Sequence, residues 1–291
     1  TLISSALALA LPTFGALQQV TDLTLPTNLK MYISVPSKLS TNPAIIVALH
    51  PCGGTAQQWY TGTKLPSHSE TLGFILIYPQ TSRYSNCWDV NAAASLTHNG
   101  GGDASGIIAM INHTLTKYPS ADKAKVYVMG GSSGAMMTNV LAGSYPDVFA
   151  AAAAYSGTAF ACFAGSKDAP TPLAANQTCT QGLSHTPAEW AQFVKNAYPS
   201  YTGPRPRVLI AHGLADTLVR PKAGYEALKQ WAAVLGVSNT RNVTGSEVEE
   251  GAQYTKMVYG EGEKVVGYFG QGVGHIAPVV EGVLLKFFGL M

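Results

Sequence analysis

Lys125-Val126-Tyr127-Val128-Met129-Gly130-Gly131-Ser132-Ser133-Gly134-Ala135-Met136-Met137 is the stretch on which the fold turns. Residues 126–129 form a short β-branched and aromatic run that reads as a buried strand, and residues 135–143 read as a helix. Between them Gly130-Gly131-Ser132-Ser133-Gly134 fits G-x-S-x-G. Strand, tight turn and helix is the context of a nucleophile elbow, whose strained turn needs small residues around the serine. Ser132 is therefore the candidate nucleophile. The bare pattern is equally an ordinary turn in a glycine-rich chain, and the flanking strand and helix carry the reading.

Outward from this stretch, residues 44–49 are a continuous apolar run between Pro43 and His50-Pro51, as in a central parallel strand buried on both faces. Residues 74–78 are another, stopped by Pro79, and residues 207–213 a third. Residues 57–72 are mixed and helical in their second half. Helices are expected from an Asp103 cap to about Tyr118, over 187–197 and 221–235, and over 279–288. Residues 257–259 and 265–269 read as a final hairpin, and the loop-rich segment 158–187 as a lid or wall above the strand ends. Alternating strands and helices imply an α/β protein with a mostly parallel, doubly wound sheet and helices on both faces.

Composition narrows the function classes. A chain of 291 residues buries a full core, and 46% hydrophobic with 12% charged residues argues against disorder. A net charge of +2 without a basic block gives no reason to expect nucleic acid or an anionic membrane as partner. Residues 1–16 differ from the rest: Leu2-Ile3-Ser4-Ser5-Ala6-Leu7-Ala8-Leu9-Ala10-Leu11, then Pro12 and Gly15-Ala16, read as the end of a secretory signal peptide cleaved after Ala16. Residues 17–291 then form one domain with no appended carbohydrate-binding module. Four cysteines, Cys52, Cys87, Cys162 and Cys179, pair in an oxidising compartment, with three connectivities open. No C-x-x-C or Cys/His cluster supports a metal site. Asn112, Asn176 and Asn242 begin N-x-[ST] sequons, each a glycan site on a secreted protein or a chance match.

Acyl transfer by a serine needs a base, an acid that orients it, and donors for the oxyanion. In the α/β-hydrolase arrangement the order is Ser, acid, His. Of seven histidines, only His275 lies in a glycine-rich loop after the last expected strand, in Gly270-Gln271-Gly272-Val273-Gly274-His275. Asp216 sits just past the 207–213 strand; Asp89 and Asp103 precede the elbow and have the wrong order. An ordinary turn aspartate is the rival for Asp216, and position and order favour the acid. His212 ends a strand as a core or turn histidine. One oxyanion donor is expected from Ser133 N–H at the helix N-terminus. The other falls to Cys52 in His50-Pro51-Cys52-Gly53-Gly54, because Pro51 has no N–H. The rival there is a plain glycine turn.

Several stretches stand out together and in order: Leu17-Gln18-Gln19-Val20, Ile46-Val47-Ala48-Leu49-His50, Asn86-Cys87-Trp88-Asp89-Val90, Leu96-Thr97-His98-Asn99-Gly100-Gly101-Gly102-Asp103, Ser133-Gly134-Ala135-Met136-Met137-Thr138-Asn139-Val140, Ala227-Leu228-Lys229-Gln230-Trp231 and Gly272-Val273-Gly274-His275. With these the chain resembles the secreted fungal esterases of carbohydrate-esterase family one, which includes acetylxylan esterases and type B feruloyl esterases. The resemblance implies an α/β-hydrolase fold and places nucleophile, acid and base on Ser132, Asp216 and His275. It also implies disulfides Cys52–Cys87 and Cys162–Cys179. Acetylxylan esterases of the family often have Trp before the sequon that leads to the fourth cysteine, where this chain has Ala175. Alanine leaves room for a planar aromatic acid, so ferulate on arabinoxylan is the expected ester and acetate on xylan the alternative. Trp190, Trp231 and Tyr155 are candidates for an aromatic pocket or for the core. No cofactor or metal is needed, and a monomer is expected. The alternative of another class is a non-catalytic cell-wall-binding protein on a hydrolase fold.

Overall fold

The computed structural model describes residues 15–83, 85–166 and 177–291. The start of the apolar N-terminal run, through Phe14, and the expected pocket residue Ala175 and glycan residue Asn176 lie outside the described residues. The strands are β1 (Gln18–Val20), β2 (Lys30–Ser34), β3 (Ile45–Leu49), β4 (Ile75–Gln80), β5 (Val126–Gly131), β6 (Ala151–Tyr155), β7 (Arg207–Gly213), β8 (Asn239–Val243), β9 (Tyr254–Tyr259) and β10 (Val265–Gly270). The helices are α1 (Ala56–Gly62), α2 (Leu65–Leu72), α3 (Gly102–Lys117), α4 (Ser133–Ser144), α5 (Gln177–Thr180), α6 (Pro187–Ala197), α7 (Pro221–Leu235) and α8 (Glu281–Phe288).

All ten strands join one sheet in the order β1-β2-β4-β3-β5-β6-β7-β10-β9-β8. The six strands from β4 to β10 run parallel, and the outer strands on both sides are antiparallel. The pleat splits β3 between two cores: Ile45, Val47 and Leu49 pack under α3, α4, α6 and α7, while Ile46 and Ala48 pack under α1, α2 and α8. This double burial is why the central strands read as unbroken apolar runs.

Local signals explain most element ends. Helix α6 opens with a capping box, Thr186 Oγ1 accepting from Glu189 N–H and the Glu189 carboxylate accepting from Thr186 N–H. Helices α6 and α7 both carry Pro in their first turn. Two expectations are corrected. Strand β4 continues through Pro79, because its pairing with β3 ends at Ile77 and no donor is needed there on that side. Asp103 does not cap α3; Gly101 does, and the Asp103 carboxylate instead accepts from Asp89 N–H at 2.9 Å. The second half of 57–72 is helical as expected, in α2, and the first half adds a helix of its own, α1, with the break at Thr63 and Lys64. At the start of the loop-rich segment, Asn139 Nδ2 of α4 donates to Thr158 O at 2.8 Å, and buried Phe160 packs on Gly143; residues 167–176 of the expected lid or wall lie outside the described residues.

One buried acid shapes the pH dependence of stability. Neither carboxyl oxygen of Glu250 has a hydrogen-bond partner among the described residues. Burial, with Glu249 and Glu281 adding repulsion, pushes its carboxyl up to about 8. Between the ordinary carboxylate value and about 8 the folded chain binds more protons than the unfolded one, so stability falls as pH rises through that window. Glu250→Gln is expected to raise the unfolding temperature at pH 9 and change it little at pH 4. Calorimetry at the two pH values checks this; equal shifts at both would contradict it.

Candidate active site

Three residues meet at the carboxyl ends of the parallel strands, the edge where open α/β sheets place their sites. Ser132 lies between β5 and α4 with φ +53°, a left-handed backbone that costs a non-glycine residue about 1–3 kcal/mol. The turn is held by Ser132 N–H donating to Tyr155 O at 2.8 Å and by Met136 N–H donating to Ser132 O at 3.0 Å. Gly134 permits it, since a Cβ there would collide with Leu49 O where α4 crosses the end of β3.

Asp216 follows β7 and His275 follows β10, and these two strands are parallel neighbours. Their loops are laced together by Leu214 N–H donating to Gly270 O and Ala215 N–H to Val273 O, at 2.8 and 2.9 Å. Ser156 Oγ accepts from Ala277 N–H at 3.0 Å and anchors the chain just after His275. His275 Nδ1–H donates to Asp216 Oδ2 at 2.7 Å, and Ser132 Oγ–H lies 2.8 Å from His275 Nε2. Asp216 Oδ1 accepts from Leu218 N–H and Val219 N–H, each at 2.9 Å. Burial alone would raise the Asp216 pKa; hydrogen bonds from His212, His275 and Val219 outweigh it and hold the group well below the usual carboxylate range. Asp216 is thus anionic and fixed, and its bond to His275 Nδ1–H favours the tautomer whose Nε2 can accept a proton.

The turn after β3 approaches the serine from the other side. Gly53 N–H donates to Ser85 O in the connection after β4, and Gly54 N–H donates to Pro51 O within the turn. Cys52 is bonded to Cys87, and Cys162 to Cys179. Beside the first bridge, Trp88 N–H donates to Ser133 Oγ at 2.9 Å and Trp88 Nε1–H to His50 O at 2.8 Å. Trp88 therefore ties the loop to the start of α4. His50 Nδ1–H donates to Pro51 O at 2.8 Å, and Nε2 accepts from Thr81 N–H at 3.4 Å. Its burial lowers its pKa to about 4, opposed by the Pro51 bond, so it is a neutral strut. Ser133 opens α4, where an amide has no acceptor within its own helix.

A family model described as "Esterase PHB depolymerase" matches residues 28–245. The chain belongs to this esterase family. It is 60% identical over its whole length to a protein named "Feruloyl esterase B" from Neurospora crassa, covering 98% of that protein. It is 57% identical to a "Feruloyl esterase B" of Thermothelomyces thermophilus, over 95% of this chain and 94% of that one. A solved structure titled "Acetyl xylan esterase from Aspergillus awamori" superposes with a TM-score of 0.89 at 42% identity, covering 95% of this chain and 100% of that chain. The fold is that of the α/β-hydrolases, and the resemblance read from the sequence is borne out.

In this esterase Trp190 and Trp231 do not reach the site. Both are fully buried: Trp190 Nε1–H donates to Glu226 Oε2 at 2.7 Å, and Trp231 Nε1–H to Asn139 Oδ1 at 2.9 Å. Their place is the core between α4, α6 and α7, where each polar tip finds a buried acceptor. Tyr155 is also buried, and it serves the elbow through its carbonyl oxygen. Two positioning residues escape the sequence reading. Trp88 needs the folded loop to reach Ser133. His212 lies in contact with Asp216, Nε2 donating to Val219 O at 2.8 Å and standing 3.5 Å from Asp216 Oδ2. The spacing His212-Gly213-Leu214-Ala215-Asp216, a histidine and an acid astride one strand end, is the signal that could have found it. Of the sequon residues, Asn112 is exposed on α3 and Asn242 is exposed on β8. Among the described residues no helix is long and apolar enough to cross a membrane.

Proposed function

We propose that this esterase hydrolyses hydroxycinnamoyl esters, such as ferulate, on the arabinoxylan of plant cell walls, with Ser132 as nucleophile, His275 as base and Asp216 as acid. The unbroken line of hydrogen bonds from Ser132 Oγ through His275 to Asp216 carries the chemistry. The feruloyl reading is supported by the match to the Neurospora "Feruloyl esterase B" along the whole of this chain and 98% of that one.

Ser132 Oγ attacks the ester carbonyl carbon while its proton passes to His275 Nε2. The backbone N–H groups of Cys52 and Ser133 receive the oxyanion, and Asp216 stabilises the imidazolium. Collapse breaks the bond to the sugar oxygen, which leaves with the proton from His275. Water then gives a proton to His275 and attacks the acyl-enzyme; ferulic acid leaves and Ser132 regains its hydrogen. The scheme needs no metal or organic cofactor.

Acetylxylan esterase is the second reading, favoured by the likeness to the Aspergillus awamori structure. Initial rates on methyl ferulate and on acetylated xylan, with Ser132→Ala as blank, separate the two. A high ferulate rate with little acetate release is expected. The reverse would assign the enzyme to acetyl groups, and no activity on either ester from folded protein would refute both. We further propose a secreted monomer that loses residues 1–16, leaves residues 17–291 as one domain, and carries glycans at Asn112, Asn176 and Asn242. Two disulfides support the oxidising compartment.

A further inference from the structure

Gly131 is the residue before the nucleophile. The pleat of β5 turns Gly130 towards α4 and Gly131 towards the opposite face. A Cβ at Gly131 would lie 2.8 Å from Trp59 Cη2 and 3.3 Å from Ile276 Cδ1 and Cγ2. The edge of the indole and the branch of the isoleucine therefore rest on the backbone beside Ser132. Trp59 stands on α1, whose N-cap Thr55 closes the loop that carries Cys52. Ile276 directly follows His275. The oxyanion loop, the nucleophile turn and the base loop thus each bring one piece to the same spot. Both side chains are half-buried and pack with Val273 and Val279 against the second core. Trp59 Nε1 is buried without a hydrogen-bond partner among the described residues, so packing alone holds the ring.

We propose that Trp59 and Ile276 form the wall of the acyl pocket, the indole receiving the planar ring of a hydroxycinnamoyl group. This rests on the feruloyl reading above and deepens it by naming the residues that select the acyl group. The wall is apolar and offers no accessible donor from the indole. A hydroxyl-rich sugar against it would leave polar groups unpaired, whereas an aromatic acid gains ring contact. An acetyl group is too short to cover the indole and gains little from it.

The test compares kcat/KM on methyl ferulate with kcat/KM on 4-nitrophenyl acetate for the parent, Trp59→Leu and Trp59→Phe. In Trp59→Leu the ferulate-to-acetate ratio is expected to fall about tenfold or more, the scale of losing aromatic burial. The inhibition constant of ferulic acid should rise by a similar factor. Trp59→Phe should hold the ratio within about threefold of the parent, since the indole N–H has no bond to lose. Ile276→Ala repeats the test without touching α1 and should also lower the ratio. Equal losses on both esters, with the ratio and the inhibition constant at parental values, would overturn the inference, because a ring that only braces the loop slows every acyl transfer alike. A phenylalanine variant as poor as the leucine variant would also overturn it. If the parent itself turns over acetate but no ferulate, the feruloyl reading fails first and this wall falls with it.

Discussion

Ser132→Ala is expected to lower kcat on methyl ferulate by about 10⁶ while leaving the fold in place. The loss is large because the relay has one function: His275 can accept a proton only if a nucleophile offers one at 2.8 Å. Without Oγ the remaining donors bind the ester but form no acyl-enzyme, and the residual rate is that of water in a polar pocket. Stability should be nearly unchanged. Alanine keeps the Cβ that already tolerates φ +53°, and the bonds from Ser132 N–H and to Ser132 O belong to the backbone. Two measurements check this: single-turnover release of the alcohol, and covalent labelling by a fluorophosphonate. A variant that still takes the label, or keeps more than about one-hundredth of kcat, would remove Ser132 from the role assigned to it.

Asp216→Asn should cost about 10⁴ in kcat with a modest change in KM. The reason is orientation. Leu218 N–H and Val219 N–H both point at Oδ1. An asparagine there keeps those bonds only by placing its carbonyl oxygen in that position, which turns its NH₂ towards His275. His275 Nδ1 must then accept, its hydrogen moves to Nε2, and the ring can no longer take the Ser132 proton. The same NH₂ would also face His212 Nε2–H, 3.5 Å from Oδ2 in the parent, so some stability should be lost as well. That loss should be present at neutral pH and vanish in acid. The folded-state pKa of Asp216 is depressed, so its stabilisation is complete above the ordinary carboxylate range and is lost as pH falls below it. Rates on methyl ferulate together with unfolding curves at neutral and acid pH test both halves. A variant with parental kcat would mean that His275 is oriented by something else.

Much of this protein is legible in its chain because the signals are local. Unbroken apolar runs at 44–49 and 126–129 can be satisfied only by burial on two faces, and Pro187 and Pro221 mark helix starts through their own fixed φ. Ser132, Asp216 and His275 were readable because each follows a strong strand signal, in the chain order that a parallel sheet folds onto one edge. The destinations of the aromatic side chains were not readable. Trp59, Trp88, Trp190 and Trp231 are the same residue type in similar company, yet Trp59 lies against Gly131 beside Ser132, Trp88 ties the loop after β3 to α4, and Trp190 and Trp231 fill the core. What separates them is the neighbour each meets across long stretches of sequence: Gly131 for Trp59, Ser133 for Trp88, Glu226 for Trp190 and Asn139 for Trp231. Periodicity and capping determine which residues form strands and helices. Where each ring comes to rest is decided by packing between distant segments, where one missing Cβ or one buried acceptor settles the outcome.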